Sequence, residues 1–386
     1  MSKEAFKRLM EAYGRFISAY PFIILAVALL FTVVAAGLQA TLELVPMGDK
    51  DFLPADRPVV VALEKIEDEF GGLRTLTVVV EVDPTVSGSN EVRDNLDPRM
   101  VAYAWTLHEK IGTLKEVGAV TSGASLLKAG NGGTLPKSID RARQLWSANP
   151  ALNQYLSDDH SLLLIRAEIL PDVDDEEVYN QLDSILANTK RPPGAATFMI
   201  GGIPENVELD RLIAPDMGRV MSMSFIGIVI VVFIIMGSLA YGVLPLFTII
   251  FGTTWSMGMW AGLGRDLTHN TSGVSSMIMG IGIDFGIQTI TRFRQEYAKD
   301  GRLDEALGET LANVVYPMST TTIAALIGFR AMSMGELTPL ADMASIMSLG
   351  VFGCFLAAVT VVPSVLVIYE RYLRKFKLRE VIRRWI

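Results

Sequence analysis

The sequence has almost no cysteine and very little histidine. Its one cysteine, Cys354, lies inside an apolar run, and its histidines, His108, His160 and His269, are far apart in the chain. A disulfide framework needs paired cysteines, and a zinc or redox site needs clustered Cys or His side chains. The composition therefore excludes a disulfide-stapled fold, and we expect no metal ion and no other cofactor.

Motifs for nucleotide binding and for hydrolysis are also missing. The chain contains no GxxxxGK[ST] phosphate loop and no GxSxG elbow. The glycine-rich stretch at 130–133 lies in a polar loop without a preceding strand, so flexibility explains it better than phosphate binding. We expect neither an enzyme nor a nucleic-acid partner, and any pumping must be driven by an ion gradient.

Apolar residues, by contrast, are abundant and are segregated along the chain. Half of the residues are hydrophobic, yet a fifth are charged. The stretch from about residue 41 to residue 211 is rich in Asp and Glu, whereas the apolar runs lie at the N-terminus and after Met217. This distribution is typical of a membrane transporter with one large aqueous domain.

Six apolar runs are long enough to cross a membrane as helices, which takes about 20 residues. They are Pro21–Ala40, Val220–Leu239, Gly242–Leu263, Ser272–Ile290, Val315–Met334 and Asp342–Ile368. The small residues Ala35, Ala36 and Gly37 also permit a cleavable signal peptide at the first run. We favour a retained span, because the run is longer than a usual signal-peptide core.

The basic residues near the ends of these runs fall on one side of the membrane. They are Lys3, Lys7, Arg8 and Arg15, then Arg292, Arg294, Lys299 and Arg302, then Arg371, Arg374, Lys375, Lys377, Arg379, Arg383 and Arg384. The positive-inside rule therefore predicts a multi-pass protein of the cytoplasmic (plasma) membrane with both termini in the cytoplasm and the acidic domain outside.

The predicted organisation has four parts. Residues 1–40 hold the N-terminal segment and the first span, 41–215 the external domain, 216–370 the other five spans, and 371–386 a basic tail. Between the fourth and fifth spans, residues 292–314 are too polar to cross but have apolar residues at helical spacing. We expect them to form a helix on the inner membrane surface.

The external domain shows two strand, helix, strand patterns, which suggest an α+β, split βαβ (ferredoxin-like) sandwich. An amphipathic helix at Val59–Phe70 precedes them, and helical pieces at 124–128 and 138–156 flank the loop at 130–134. The elements of the two patterns are Thr75–Val82, Pro98–Gly112 and Val117–Thr121, then Ser161–Leu170, Asp174–Lys190 and Ala195–Gly202.

One carboxylate, Asp284, lies inside the fourth apolar run. The polar and small residues Ser272, Ser276, Gly280, Asp284 and Gln288 recur every fourth position, which makes one stripe on a helix. A carboxylate in a membrane span costs several kcal/mol unless it faces protein or water, so it indicates a functional site. Burial favours the protonated form, which would let Asp284 load and release a proton. The alternative is a hydrogen bond that only packs helices.

Hydroxyl side chains on the fifth run are candidate partners for Asp284. Ser319, Thr320, Thr321 and Thr322 lie about as far from the inner end of their span as Asp284 lies from the end of its own. They would orient the carboxylate or relay a proton through water, although ordinary helix packing explains a threonine run equally well.

Three further residues of the fourth and fifth apolar runs have separate interpretations. Gly282 and Gly286 form a GxxxG motif, which permits close approach of another helix. Arg330 lies nearer the outside than Asp284, so we expect it to snorkel outward or to pair with Glu336 or Asp342 rather than with Asp284.

Several stretches together resemble the RND superfamily of proton-driven exporters, in its MmpL-like and hopanoid-exporter-like branch, which is related to Patched. They are DFLPADRPVVVALEKIEDEFGG, GGIPENVELDRLIAPDMGRVM, GIGIDFGIQTITRFRQEY and STTTIAALIGFRAMSMGELTPLADMASIMSLG. In that family a GxxxD carboxylate on the fourth span relays protons, and the matching residues here are Gly280 and Asp284. Many relatives have Tyr after the Asp, whereas this chain has Phe285, which gives more weight to the threonine run.

The resemblance also implies self-association. Full-length members of the family carry two such halves in one polypeptide, and this chain has one. We therefore expect a homodimer, with a trimer as the lesser alternative, that exports a hydrophobic or amphipathic molecule driven by the proton gradient. Two other readings remain open: a protein-export accessory of the SecD/SecF type, and a non-transporting lipid or sterol sensor.

Overall fold

The computed structural model describes residues 3–45, 52–70, 74–82, 91–170 and 173–373. The chain forms two compact units, one of Met1–Pro54 with Ile213–Ile386 and the other of Ala55–Leu212. The second unit falls within the stretch 41–215 that the sequence assigns to an aqueous domain. The predicted basic tail lies outside the described residues from position 374 onward.

The described residues are mostly helical. In chain order the α-helices are α1 (Lys3–Ala19), α2 (Pro21–Gln39), α3 (Pro58–Phe70), α4 (Pro98–Ile111), α5 (Gly123–Gly130), α6 (Ile139–Ala148), α7 (Asp175–Asn188), α8 (Gly202–Met236), α9 (Leu239–Val243), α10 (Leu246–Gly262), α11 (Val274–Asp300), α12 (Leu303–Met332) and α13 (Thr338–Ile368). The strands are β1 (Leu44–Val45), β2 (Arg74–Val82), β3 (Val117–Ser122), β4 (Leu162–Ile169), β5 (Ala195–Ile200) and β6 (Leu267–Thr268).

Six helices among the described residues are long and apolar enough to cross a membrane. We call them spans 1 to 6: Pro21–Gln39, Gly202–Met236, Leu239–Gly262, His269–Lys299, Leu303–Met332 and Thr338–Tyr372. The prediction of six helices of this length and composition is confirmed. Several helices run beyond the predicted apolar runs, because helix formation continues through polar residues at the span ends.

Span 1 packs against α10 of span 3. A side chain at Gly258 would collide with the backbone of Ala35, so the two helices touch at this glycine. The indole N–H of Trp255 also donates a hydrogen bond to the hydroxyl of Thr32 at 2.8 Å. The first apolar run is therefore part of the helical bundle, as a retained span requires.

The predicted separate helix at 292–314 is not present as one element. Instead α11 continues to Asp300 and ends at Gly301, which adopts the left-handed conformation with φ 65° that favours glycine at a helix end. Helix α12 then begins at Leu303 and runs without interruption into span 5. Its apolar residues Leu307 and Leu311 are buried and belong to the same core cluster as Ile17 of α1. Their helical spacing therefore reflects packing against other helices, not a membrane-surface face.

The second unit contains a four-stranded antiparallel sheet in the order β3-β4-β2-β5. Helix α4 connects β2 to β3, and α7 connects β4 to β5, so both predicted strand, helix, strand patterns are present. Alternate residues of the two central strands, such as Val78 and Ile165, are fully buried in the core of this unit. The period-2 pattern of β-branched residues accounts for this burial.

The predicted helical piece at 138–156 is divided. Helix α6 ends at Ala148, and a short 3-10 helix covers Pro150–Gln154. Asn149 between them is extended, and its side chain caps the second piece by accepting a hydrogen bond from the N–H of Ala151. The break follows from Pro150, which disfavours a helical conformation for the residue before it.

Candidate functional site

Asp284 lies on a face of α11 that the rest of the described chain leaves uncovered. The exposed residues of this face are Met277, Gly280, Ile281, Asp284 and Gln288. At about 100° per residue they fall within one side of the helix. We call these five residues the polar face of α11. Because α11 belongs to span 4, this face meets either lipid or another protein surface.

The carboxylate of Asp284 accepts a hydrogen bond from its neighbour one turn along the helix. The amide Nε2 of Gln288 donates to Oδ2 of Asp284 at 2.6 Å. An ionised carboxylate has two oxygens with about four acceptor positions, so further donors can bind to it. The two polar residues of the stripe are thus joined, and the pair projects away from its own bundle.

The opposite side of α11 is in close contact with two other helices. A side chain at Gly286 would lie 2.5 Å from the hydroxyl of Thr248 and 2.8 Å from the backbone Cα of Pro245. A side chain at Gly282 would collide with the buried thiol of Cys354 on α13. The GxxxG pair therefore lies where other helices approach α11 most closely.

Gly280 has a different environment from the other two glycines. Nothing lies within 4 Å of the position that its side chain would occupy. Although it precedes Asp284 in the GxxxD pattern, it does not contact a neighbouring helix within the described chain. Its place on the polar face leaves it available to a surface outside this chain.

The depth of Asp284 relative to α12 follows from one contact between the helices. The hydroxyl of Thr289 lies 3.9 Å from the sulfur of Met318, so these two residues are level, that is, at the same height along the axes of the two helices. Since α11 and α12 run in opposite directions, Asp284 is level with residue 323. Thr322 lies within about 1.5 Å of that level and Thr320 within about 4.5 Å, at 1.5 Å rise per residue.

The three threonines differ in direction and in hydrogen bonding. Relative to Met318, which faces α11, Thr321 and Thr322 are rotated by about 60° and 40°, whereas Thr320 is rotated by about 200° and faces away. The hydroxyls of Thr320 and Thr321 donate to the carbonyls of Tyr316 and Met318 of their own helix. Thr322 is buried, and its hydroxyl has no hydrogen-bond partner among the described residues.

Of the other polar residues singled out in the sequence, Gln288 contacts Asp284, whereas Ser276 and Arg330 lie away from it. Ser276 is about 12 Å from Asp284 along the helix, and its buried hydroxyl has no partner among the described residues. Arg330 is exposed and lies about 10 Å beyond the level of Asp284. Asp342, one of the two carboxylates that the sequence offered to it, pairs with Arg265 at 3.1 Å. The structure therefore does not bring Ser276 or Arg330 to the carboxylate.

A polar cluster at the end of the bundle where α1 meets α12 was not predicted from the sequence. The carboxylate of Asp304 accepts hydrogen bonds from the hydroxyl of Ser18 and, at 3.1 Å, from Arg371. Arg371 also donates to the carbonyl of Ser18 at 3.0 Å. These residues come from α1, α12 and the end of span 6. Because these residues are between 67 and 353 positions apart in sequence, no local pattern could reveal the cluster.

Comparison with known proteins gives consistent matches. The model of the MMPL family matches residues 51–386 of the chain. A protein of Methanocaldococcus jannaschii that is named as a membrane protein is 25% identical over 372 residues, which cover 95% of each chain. The hopanoid transporter HpnN of Rhodopseudomonas palustris is 25% identical over 145 residues, which cover 36% of this chain and 17% of HpnN.

Proposed function

Because the chain belongs to the MMPL family of membrane transporters, we propose that it exports hydrophobic or amphipathic, lipid-like molecules and that the proton gradient drives the export. The family match extends across all five spans after the first and confirms the resemblance that the sequence motifs carry. The similarity to a hopanoid transporter supports a lipid-like substrate.

The observation that carries the proposal is the exposed carboxylate of Asp284 in span 4. A permanently charged group on a lipid-facing helix surface would be costly, whereas a group that alternates between neutral and charged forms can serve a proton-driven cycle. In its charged form Asp284 accepts a hydrogen bond from Gln288. In its neutral form it carries a proton and can donate one. Loading and release therefore change the hydrogen bonding of α11.

We assign the relay role on α12 to Thr321 and Thr322. Both are nearly level with Asp284; Thr321 is exposed, whereas Thr322 is buried and its hydroxyl has no partner in the described chain. A buried hydroxyl without a partner is unfavourable, and a bridging water would satisfy it. Such a water would lead protons towards the carboxylate. Thr320 faces away, so we give it no role in the relay within one protomer.

We propose that a second copy of the chain covers the polar face of α11. Gly280 leaves room for close approach, and Asp284 with Gln288 would gain partners that lipid does not offer. In a two-fold dimer the same surface of each copy meets the other. The carboxylates of the two copies would then lie near the axis and titrate as a coupled pair.

Cysteine cross-linking tests this arrangement. With Ile281→Cys on the polar face, we expect a short thiol cross-linker to yield covalent dimers in vesicles. Ile234→Cys, on a more exposed part of α8, is the matched control and should stay monomeric. The buried native Cys354 should not react. Equal cross-linking of both variants, or trimer-sized products, would refute the dimer.

We further propose that the second unit is the external porter domain. Numbering its four strands 1 to 4 along the chain, the sheet order is 4-1-3-2, which is the order of a ferredoxin-like sandwich with two βαβ units. From the positive-inside rule we propose that this unit lies outside and both termini lie in the cytoplasm. A lipid-like substrate would pass through it after leaving the membrane.

A transport assay in proteoliposomes tests the proposed function. We expect the protein to release a fluorescent lipid analogue to acceptor vesicles when a pH gradient is imposed, and to stop when a protonophore collapses the gradient. The protonophore removes the proton gradient without altering the protein, so the same vesicles before its addition serve as the control. Release that is unchanged by the protonophore would exclude proton coupling.

A further inference from the structure

The N-terminal helix α1 is fixed to the bundle along one side. Its Gly14 meets Gly308 of α12 so closely that a side chain at Gly14 would lie 2.7 Å from the Gly308 Cα. Ile17 is fully buried in the shared core, and Lys7 pairs with Glu309 at 3.0 Å. These contacts determine which side of α1 points away from the protein.

The outward side of α1 carries two apolar anchors with two arginines at its edge, and Arg15 also lines a cavity beside Asp304. Leu9 and Phe16 are 53% and 51% exposed, two turns apart on the same side of the helix. Arg8 and Arg15 each precede one of these anchors, so each lies about 100° around the helix from it. Neither arginine has an ion-pair partner in the part of the chain that the structure describes. This is the pattern of a helix that lies in a membrane surface.

The position of α1 in the chain sets its depth. The helix ends at Ala19, and span 1 begins at Pro21, so α1 lies at the end of a membrane span. Three exposed tyrosines lie near the junction of α1 and span 1. Tyr20 is in the junction itself, the ring centroid of Tyr316 is 5.9 Å from that of Phe6, and the ring centroid of Tyr372 is 5.5 Å from that of Phe22. Tyrosine is enriched where a membrane meets water.

We infer that the outward side of α1 binds anionic lipid in the leaflet at this end of span 1. Leu9 and Phe16 insert among the acyl chains, while Arg8 and Arg15 extend to the headgroup phosphates. We assign the bilayer to the outward side of α1, and not a protein partner, because α1 continues directly into a membrane span. This surface helix replaces the one that the sequence suggested at 292–314. The inference rests on the six spans and does not depend on proton coupling.

Spin labelling of the full chain in vesicles containing phosphatidylglycerol tests the depth. Labels at Leu9→Cys and Phe16→Cys should collide with oxygen and be protected from a water-soluble paramagnetic reagent. A label at Glu4→Cys, which lies about 140° around the helix from Leu9, should instead be open to the water-soluble reagent and collide less with oxygen. Labels at 9 and 16 that are open to the aqueous reagent would overturn the inference. Strong coupling between labels of two molecules would instead assign this side of α1 to a second copy.

Retention of phosphatidylglycerol against phosphatidylcholine, measured by mass spectrometry of the purified protein, tests the lipid preference. Removing one arginine as Arg8→Gln or Arg15→Gln should weaken the preference about fivefold, and the double variant more strongly. Lys7→Gln is the matched control, since it removes the same charge from the side of α1 that faces α12. An unchanged preference in the double variant, or an equal loss with Lys7→Gln, would contradict the anionic-lipid site.

Discussion

Replacement of Asp284 by asparagine is expected to reduce proton-driven export to the level of vesicles without protein. Asparagine keeps the size of the side chain and can accept the hydrogen bond from Gln288, but it cannot bind and release a proton. The fold should persist, because Asp284 is exposed and supports no buried contact of its own bundle. Lipid release under an imposed pH gradient, in the proteoliposome assay, measures the effect.

Two controls separate this outcome from a general loss of charge. Asp216→Asn makes the same chemical change at an exposed carboxylate that pairs with Arg219, and export should remain near the wild-type rate. Binding of the fluorescent lipid analogue should survive in the Asp284 variant, since only the coupling is removed. Full transport by Asp284→Asn would contradict the proposed role of the carboxylate.

Replacement of Gly286 by leucine should severely destabilise the bundle. The first added atom alone would lie 2.8 Å from the Cα and 2.9 Å from the carbonyl oxygen of Pro245, which are backbone atoms that cannot rotate away. Overpacking a close helix contact costs about 1–3 kcal/mol or more, and relief would require α10 and α11 to separate. We expect most of the protein to be lost as aggregate, as measured by size-exclusion chromatography in detergent and by thermal unfolding.

Gly280→Ala is the matched control for the glycine prediction. The position is on the same helix but has open space where the methyl group would lie, and alanine is favoured over glycine in a helix interior by about 1 kcal/mol. The variant protomer should be recovered folded and at least as stable as the wild-type protomer. A Gly286→Leu protein as stable as Gly280→Ala would show that the close contact at Pro245 does not hold in the membrane.

The helical spans were predictable because their signal depends on composition alone. Each run is longer and more apolar than a soluble helix needs, and the charges between the runs define its ends. Asp284 was identifiable for the same reason, since one carboxylate in an apolar run has a high free-energy cost whatever the surrounding fold. The strands of the second unit followed from their β-branched residues in the same local way.

What the sequence could not provide was the direction in which each residue faces. The apolar residues Leu307 and Leu311 have the spacing of an amphipathic helix, and the sequence cannot distinguish a lipid surface from the neighbouring α1. The threonines at 320–322 are adjacent in sequence, yet the rotation of the helix separates Thr320 from the other two. The partner of Asp342 is Arg265, 77 positions away. Each of these outcomes depends on tertiary packing.

The most direct test of the central claim is an infrared difference spectrum of the protein in vesicles as the pH is lowered. The chain has 42 Asp and Glu residues, so acidification protonates many carboxylates. The account predicts one component of the resulting carbonyl band that the wild type shows and Asp284→Asn lacks, while Asp216→Asn retains that component. A band of undiminished intensity in Asp284→Asn would contradict the account, because another group would then bind the proton.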